Sequence, residues 1–303
     1  MNKKLLKVQL FAHGVQAYRN YSGSNGEYYC CPVCGDFFSE IDLENSRLTL
    51  EHVPPSSQGG KGIALTCSSC NNNAGHSIDA EVANREDVLK ASALITRQGK
   101  FDGDVALNFG EENHKPLNFR LVVEEQKVRF YLKQKSNHPN ARGVVESFFK
   151  EHNKKPCGNT SSIKFSTRRR YRSRFANIGY LKSAFLVCFA AFGYTYAFDK
   201  NLEIIRRQII CPNEKILEGY IIRSEVDFFE KRTLLFLENP TNAFAVLLND
   251  TAVVLPLPSF VDNVDIYDFL VSTYATTSKI DFSGVRLEWP TSLSLRWDFE
   301  RRP

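Results

Sequence analysis

The chain reads as an α+β protein with a β-rich C-terminal part, and three observations predict this. An uncharged run, Ser183 to Phe198, has the composition of a buried helix. Beyond Lys215 the pattern turns to short strand-like runs separated by turn residues. Near the N-terminus two Cys-x-x-Cys pairs, Cys31/Cys34 and Cys67/Cys70, bracket a compact segment rich in glycine and proline. With 43% hydrophobic and 24% charged residues the composition is that of a globular protein. The 303 residues suffice for two or three domains.

Taken in order, a helix is expected from Lys4 to Tyr18, ending before the Gly-Ser-Asn-Gly turn at 23–26. The cysteine-rich segment follows. A second helix is expected from Ile78 to Gln98, with Val82, Val88, Leu89, Ala91 and Leu94 as its apolar positions. Strands are expected at Val105–Phe109, Phe119–Glu124 and Val128–Lys133, the last two joined by a hairpin at Glu125-Gln126. A helix at Ala141–His152 precedes a basic stretch. The buried helix should span about Tyr171–Ala197, and a shorter one, Leu202–Ile210, should stop at Cys211-Pro212. Strands at Thr233–Glu238, Ala243–Leu248 and Ala252–Leu257 complete the pattern, with Asn249-Asp250 as a hairpin turn. The expected divisions are 1–100, 101–215 and 216–303. No internal repeat or low-complexity linker is evident. The run at Ser183 is shorter than the roughly 20 residues that span a bilayer and contains Gly193 and polar groups, so no membrane role is expected.

A Cys-x-x-Cys turn points two thiolates at one ion, and two such turns complete a tetrahedral four-sulfur zinc site. Disulfides or a redox pair are the competing use of such cysteines. The start Met1-Asn2-Lys3-Lys4 lacks an apolar leader, so a reducing, cytoplasmic setting is expected, which favours metal. Cys30 abuts the first pair, but Cys31 has the right spacing to Cys34. Cys157, Cys188 and Cys211 are scattered and read as buried apolar cysteines.

Between the pairs stands Glu51-His52, and Asn71 directly follows the last cysteine. Here the sequence resembles the HNH endonucleases, in the cysteine-containing subgroup of the His-Me finger (ββα-metal) superfamily. The matching residues are Cys31, Cys34, Glu51, His52, Pro54, Gly59, Gly60, Cys67, Cys70, Asn71 and Gly75, within Tyr29 to Ile78. The resemblance implies a ββα-metal module in which Cys31, Cys34, Cys67 and Cys70 hold structural Zn²⁺. It implies His52 as general base, with Glu51 and Asn71 as ligands of a catalytic Mg²⁺ or Mn²⁺. Neutral histidine suits this task because its unperturbed pKa is about 6.5. A carboxylate and an amide oxygen leave Mg²⁺ most of its waters, as it prefers. Adjacent strand residues point to opposite faces, so Glu51 and His52 share a site only if the hairpin is bent there. Three departures stand out. Glu51 replaces the commoner Asp. The loop from His52 to Cys67 has no Asn, the aligned position lying near Gly62. Ala74 occupies the place of a basic residue, with His76 as the alternative contact to phosphate or metal.

The net charge of +5 says little about partners, but its distribution says more. Residues 150–182 hold ten basic residues and one acid, Glu151, so the remainder of the chain is mildly acidic. At the centre are Arg168, Arg169, Arg170, Arg172 and Arg174, interleaved with Tyr171. Arginine forks match phosphate geometry, so this segment is the expected contact to a nucleic-acid backbone. The sequence reading is therefore a metal-dependent DNA endonuclease of restriction, anti-phage defence or mobile elements. RNA is the weaker substrate, and a homodimer is one route to cutting both strands. The rivals are a non-catalytic zinc-dependent DNA-binding protein and a nuclease gated by a ligand or partner sensed by the C-terminal region.

Overall fold

The computed structural model describes residues 3–96, 101–108, 116–124, 127–152, 164–166, 171–223, 232–261, 265–277 and 280–295. Helix and strand are mixed, as the sequence predicts. The chain opens with helix α1 (Lys3–Ser22), followed by the two-residue strands β1 (Tyr29–Cys30) and β2 (Phe37–Phe38) and a short helix α2 (Glu40–Glu44). A hairpin of β3 (Leu48–Val53) and β4 (Lys61–Cys67) leads directly into helix α3 (Ser68–Ala74). A π-helical turn, Gly75–Asp79, joins α3 to α4 (Ala80–Thr96). Then come β5 (Phe101–Asn108), β6 (Leu117–Glu124), β7 (Lys127–Leu132), α5 (Ala141–His152) and β8 (Lys164–Ser166). The long helix α6 (Ser173–Ala197) and α7 (Lys200–Ile210) precede β9 (Ile221–Arg223), β10 (Arg232–Asn239), β11 (Ala243–Leu248) and β12 (Thr251–Leu255). Helix α8 (Ile266–Tyr274) and β13 (Ser283–Leu287) complete the described elements.

The compact units are not sequential segments of the chain. One combines residues 1–83 with 172–303, and the other is 84–171. In the second unit a four-stranded antiparallel sheet has the order β7-β6-β5-β8. Leu107, Leu117 and Phe119 of this sheet pack with Ala141, Val144, Val145 and Phe148 of α5, the apolar stripe of that helix.

The first unit is built around α6. Ala, Leu, Val and Phe follow one another there without a polar face, which is why the helix is enclosed on all sides rather than half-exposed. Among the described residues it is the one helix long and apolar enough to cross a membrane, but 89% of its most apolar window is buried inside the protein. It contacts the five-stranded antiparallel sheet β13-β10-β11-β12-β9 through Phe192, whose ring lies 4.4 Å from that of Phe244. On this sheet Asn249 adopts φ of 56° in the two-residue turn between β11 and β12, the left-handed backbone that such hairpins require.

The helix is broken at Gly193, where φ is +71°, a conformation that a side chain would oppose. The amide of Ser294 donates to Ala190 O (2.8 Å), a carbonyl that an unbroken helix would pair with Tyr194. Beyond the break, the buried Tyr194 hydroxyl donates to Cys30 O (2.6 Å), and Tyr29 on β1 donates to Leu65 O on β4 (2.6 Å). The core helix, the first cysteine pair and the hairpin are thereby fixed to one another by hydrogen bonds out of reach of water.

Phe192 is 1% exposed. Replacing it with Ala should cost about 3–5 kcal/mol of stability in urea unfolding followed by circular dichroism. A loss below about 1 kcal/mol would show that the α6–sheet contact is not central to the core.

Candidate metal centre and the acid–histidine hairpin

The two Cys-x-x-Cys turns meet. One ligand atom from each of Cys31, Cys34, Cys67 and Cys70 lies within 4.8 Å of the others. The Cys34 and Cys67 sulfurs are 3.8 Å apart, and a tetrahedron with metal–sulfur bonds of ~2.3 Å has edges of ~3.8 Å. Local hydrogen bonds shape both turns. In the first, Gly35 N donates to Cys31 O (2.9 Å) and Cys31 N to Asp36 O (2.8 Å), with Gly35 at φ +84°. In the second, Cys67 caps α3 by accepting from Cys70 N at its sulfur (3.3 Å), while Cys67 N donates to the Cys31 sulfur (3.4 Å). Amide donors aimed at sulfur stabilise thiolates.

The electrostatics ask for a cation. A hydrogen bond from Cys34 draws Cys31 below the ordinary thiol range, and bonds from Cys31, Cys34 and Cys70 do the same to Cys67. Cys34 and Cys70 are held above it, first by their bonds to Cys31. Hydrogen bonds shared among the four sulfurs thus favour keeping protons on Cys34 and Cys70. A dication removes that constraint and lets all four ionise, so the donor set fits a metal such as zinc. Cys30 stands apart. Burial pushes its thiol up to about 12, and it donates to Gly35 O (3.2 Å).

The hairpin between the cysteine pairs carries the acid and the histidine. Glu51 lies opposite Ala64 and His52 opposite Gly62, so Ile63 is an extra residue on β4. This bulge falls at the step between Glu51 and His52, where a bend is needed for neighbouring residues to approach one site. His52 is half-buried and Glu51 is 5% exposed. The loop that follows His52 is tied to β10, where Arg232 donates to Gln58 O (3.1 Å) and Gly59 O (2.7 Å).

Asn71, on α3, joins the face of β3 that carries Thr49 and Glu51. Its Nδ2 donates to Thr49 Oγ1 (2.8 Å), which leaves its oxygen as the acceptor. Thr49 Oγ1 donates to Thr66 O (3.2 Å), and Thr66 Oγ1 donates to Glu51 Oε2 (3.1 Å). The other Glu51 oxygen is 2.8 Å from Lys182 Nζ, and the same ammonium is 2.7 Å from Asp79 Oδ2. The Lys182 side chain is 3% exposed. Burial raises the Glu51 carboxyl above its usual range, with Lys182 opposing and Asp79 adding to the rise. For Lys182, burial works against the charge, but Glu51 and Asp79 more than offset it and hold the ammonium above the usual lysine value. A buried charge persists only when paired in this way.

Lys182, Asp79, Thr49 and Thr66 are the members of this group that sequence reasoning passed over. A signal existed for Lys182, the one charged residue between Arg174 and Asp199 in the sequence. Such a charge demands a buried partner.

The remaining expected contacts are placed as follows. His76 is exposed on the π-helical turn. Arg168, Arg169 and Arg170 lie outside the described residues. Arg172 pairs with Glu81 (2.8 Å) and stacks on the Phe175 ring at 3.9 Å. Arg174 donates to the carbonyls of Pro212 (2.6 Å), Asn213 (2.8 Å) and Glu214 (2.6 Å), closing the turn after α7. Arg174 is thereby committed to internal contacts, whereas the Arg172 side chain stays more than half exposed.

No family model matches the chain, and no curated protein or solved structure is significantly similar to it.

The two roles assigned to neighbouring cysteines are separable. Cys67→Ser should release the bound metal and unfold the hairpin, while Cys30→Ser should retain it. Metal content of the purified variants by mass spectrometry checks this, and equal retention would contradict the assignment.

Proposed function

We propose that this chain is a metal-dependent HNH endonuclease that hydrolyses phosphodiester bonds in DNA. The observation that carries the reading is the convergence of the four cysteines beside a bulged hairpin bearing Glu51 and His52, with Asn71 hydrogen-bonded to the same strand face. Strand, strand and helix follow in the order that a ββα-metal module requires.

In this reading the cysteines hold Zn²⁺ and have a structural task. His52, half-buried rather than sealed, takes the proton of the attacking water. Glu51 and Asn71 supply a carboxylate and an amide oxygen, a hard donor pair suited to Mg²⁺ or Mn²⁺. When bound, such a cation offsets the negative charge that develops on the phosphate. Thr66 and Lys182 orient the Glu51 carboxylate, and Thr49 orients the Asn71 amide. Contact with the DNA backbone falls to the basic stretch as a whole, Arg168, Arg169 and Arg170 included. One such site cuts one strand, so cutting both takes a homodimer or two successive nicks. Restriction or anti-phage defence is the setting that suits such an activity.

One observation favours a second reading. Both Glu51 oxygens already have protein donors, Thr66 and Lys182. If these contacts are permanent, Glu51 is structural and the chain is a zinc-dependent DNA-binding protein without catalysis.

Nicking of supercoiled plasmid with Mg²⁺ or Mn²⁺ separates the two. Wild type should nick, and His52→Ala at matched zinc content should be slower by at least about 100-fold. Equal rates would remove His52 from the mechanism. DNA binding without nicking by wild type would favour the second reading.

A further inference from the structure

Lys182 is shared between two carboxylates at nearly equal distances, 2.8 Å from Glu51 and 2.7 Å from Asp79. It is the one place in the uncharged length of α6 where a charge enters the core. The three groups carry a net single negative charge. Their hydrogen bonding is uneven. Glu51 has a donor on each oxygen, whereas Asp79 Oδ1 is buried with no hydrogen-bond partner among the described residues. Asp79 therefore has a whole oxygen unused beside an ammonium it already holds, whereas each Glu51 oxygen already has a donor.

We infer that Lys182 is a built-in competitor for the catalytic cation, a positioning residue that occupies Glu51 without the cation and is retained by Asp79 when the cation binds. This rests on the reading of Glu51 as a cation ligand. An ammonium and a divalent ion cannot both sit against one carboxylate oxygen without strong repulsion in a buried setting. Asp79 gives the displaced ammonium a partner, so the exchange leaves no buried charge unpaired. The device keeps the carboxylate paired and oriented before the cation arrives, and it weakens cation binding by the cost of displacing Lys182.

The roles of the two partners have opposite signs. Removing Lys182 should free Glu51 and tighten cation binding. Removing the Asp79 charge should strand the ammonium on Glu51 and weaken it. A purely structural ion pair would move both variants the same way.

The test is titration of the zinc-loaded full chain with Mn²⁺ alone, read by electron paramagnetic resonance of the free ion. Lys182→Met should lower the Mn²⁺ dissociation constant by about tenfold or more. Asp79→Asn should raise it, and Glu51→Gln should abolish binding. Because Lys182→Met leaves two buried acids unpaired, the double variant Asp79→Asn/Lys182→Met is included. It keeps the net charge of the group and should also bind Mn²⁺ more tightly than wild type. Zinc content and circular dichroism confirm folding. Binding that depends on Glu51 but is unchanged or weaker in the double variant overturns the competition while leaving Glu51 a ligand. Binding indifferent to Glu51→Gln, or absent from wild type and double variant alike, overturns the cation assignment and the competition together.

Discussion

The convergence of Cys31, Cys34, Cys67 and Cys70 is the constraint on which the N-terminal architecture depends. It joins segments more than thirty residues apart that otherwise have little regular structure to hold them. Strands β1 and β2 are two residues each, too short to be stable alone. Among the described residues the β3–β4 hairpin has no third strand beside it. A metal held by the four cysteines would tie down Cys67, where β4 becomes α3, and so set the angle between hairpin and helix. That angle brings Asn71 to the Thr49 side of β3. Tyr29 and Tyr194 then fix the cysteine turn to β4 and to the core helix by buried hydroxyls.

The second organising feature is electrostatic. A hydrophobic helix through the middle of a unit would give the hairpin an apolar wall and nothing more. Lys182 changes this by bringing one positive charge into that wall, matched by Glu51 from the hairpin and Asp79 from the π-helical turn. A π-helical turn carries one residue more than a regular one and alters the direction of the side chains within it. Here that extra residue falls between the end of α3 and Asp79. Such an ion group contributes little net stability after its desolvation cost, and its value lies in specifying orientation. Lys182 thereby opposes the rise that burial imposes on the Glu51 carboxyl.

Much of this was legible in the sequence, and the limits are physical. The cysteine spacing identifies the four converging ligands because Cys-x-x-Cys is a local turn whose geometry needs no distant partner. The helix at 141–152 and the strand at 243–248 appear where periodicity puts them, and Asn249-Asp250 turns as its residue types require. Long-range facts were not legible. The sequence signals that Lys182 needs a buried partner, but that the partners are Glu51 and Asp79 depends on tertiary packing. The intramolecular partners of Arg172 and Arg174 were illegible for the same reason. A run of arginines looks like a phosphate contact, but one of these closes a turn nearly forty residues away. The bulge at Ile63 and the break at Gly193 are departures from regular pairing that periodicity does not encode.

Hydrogen exchange of the full chain before and after chelation, read by peptide mass spectrometry, tests most directly whether the four-cysteine centre organises the hairpin. The account predicts that protection across residues 48–53 and 61–67 collapses when the metal is removed, while the β10–β12 strands keep theirs. Unchanged protection of the hairpin in protein shown to be metal-free would contradict it.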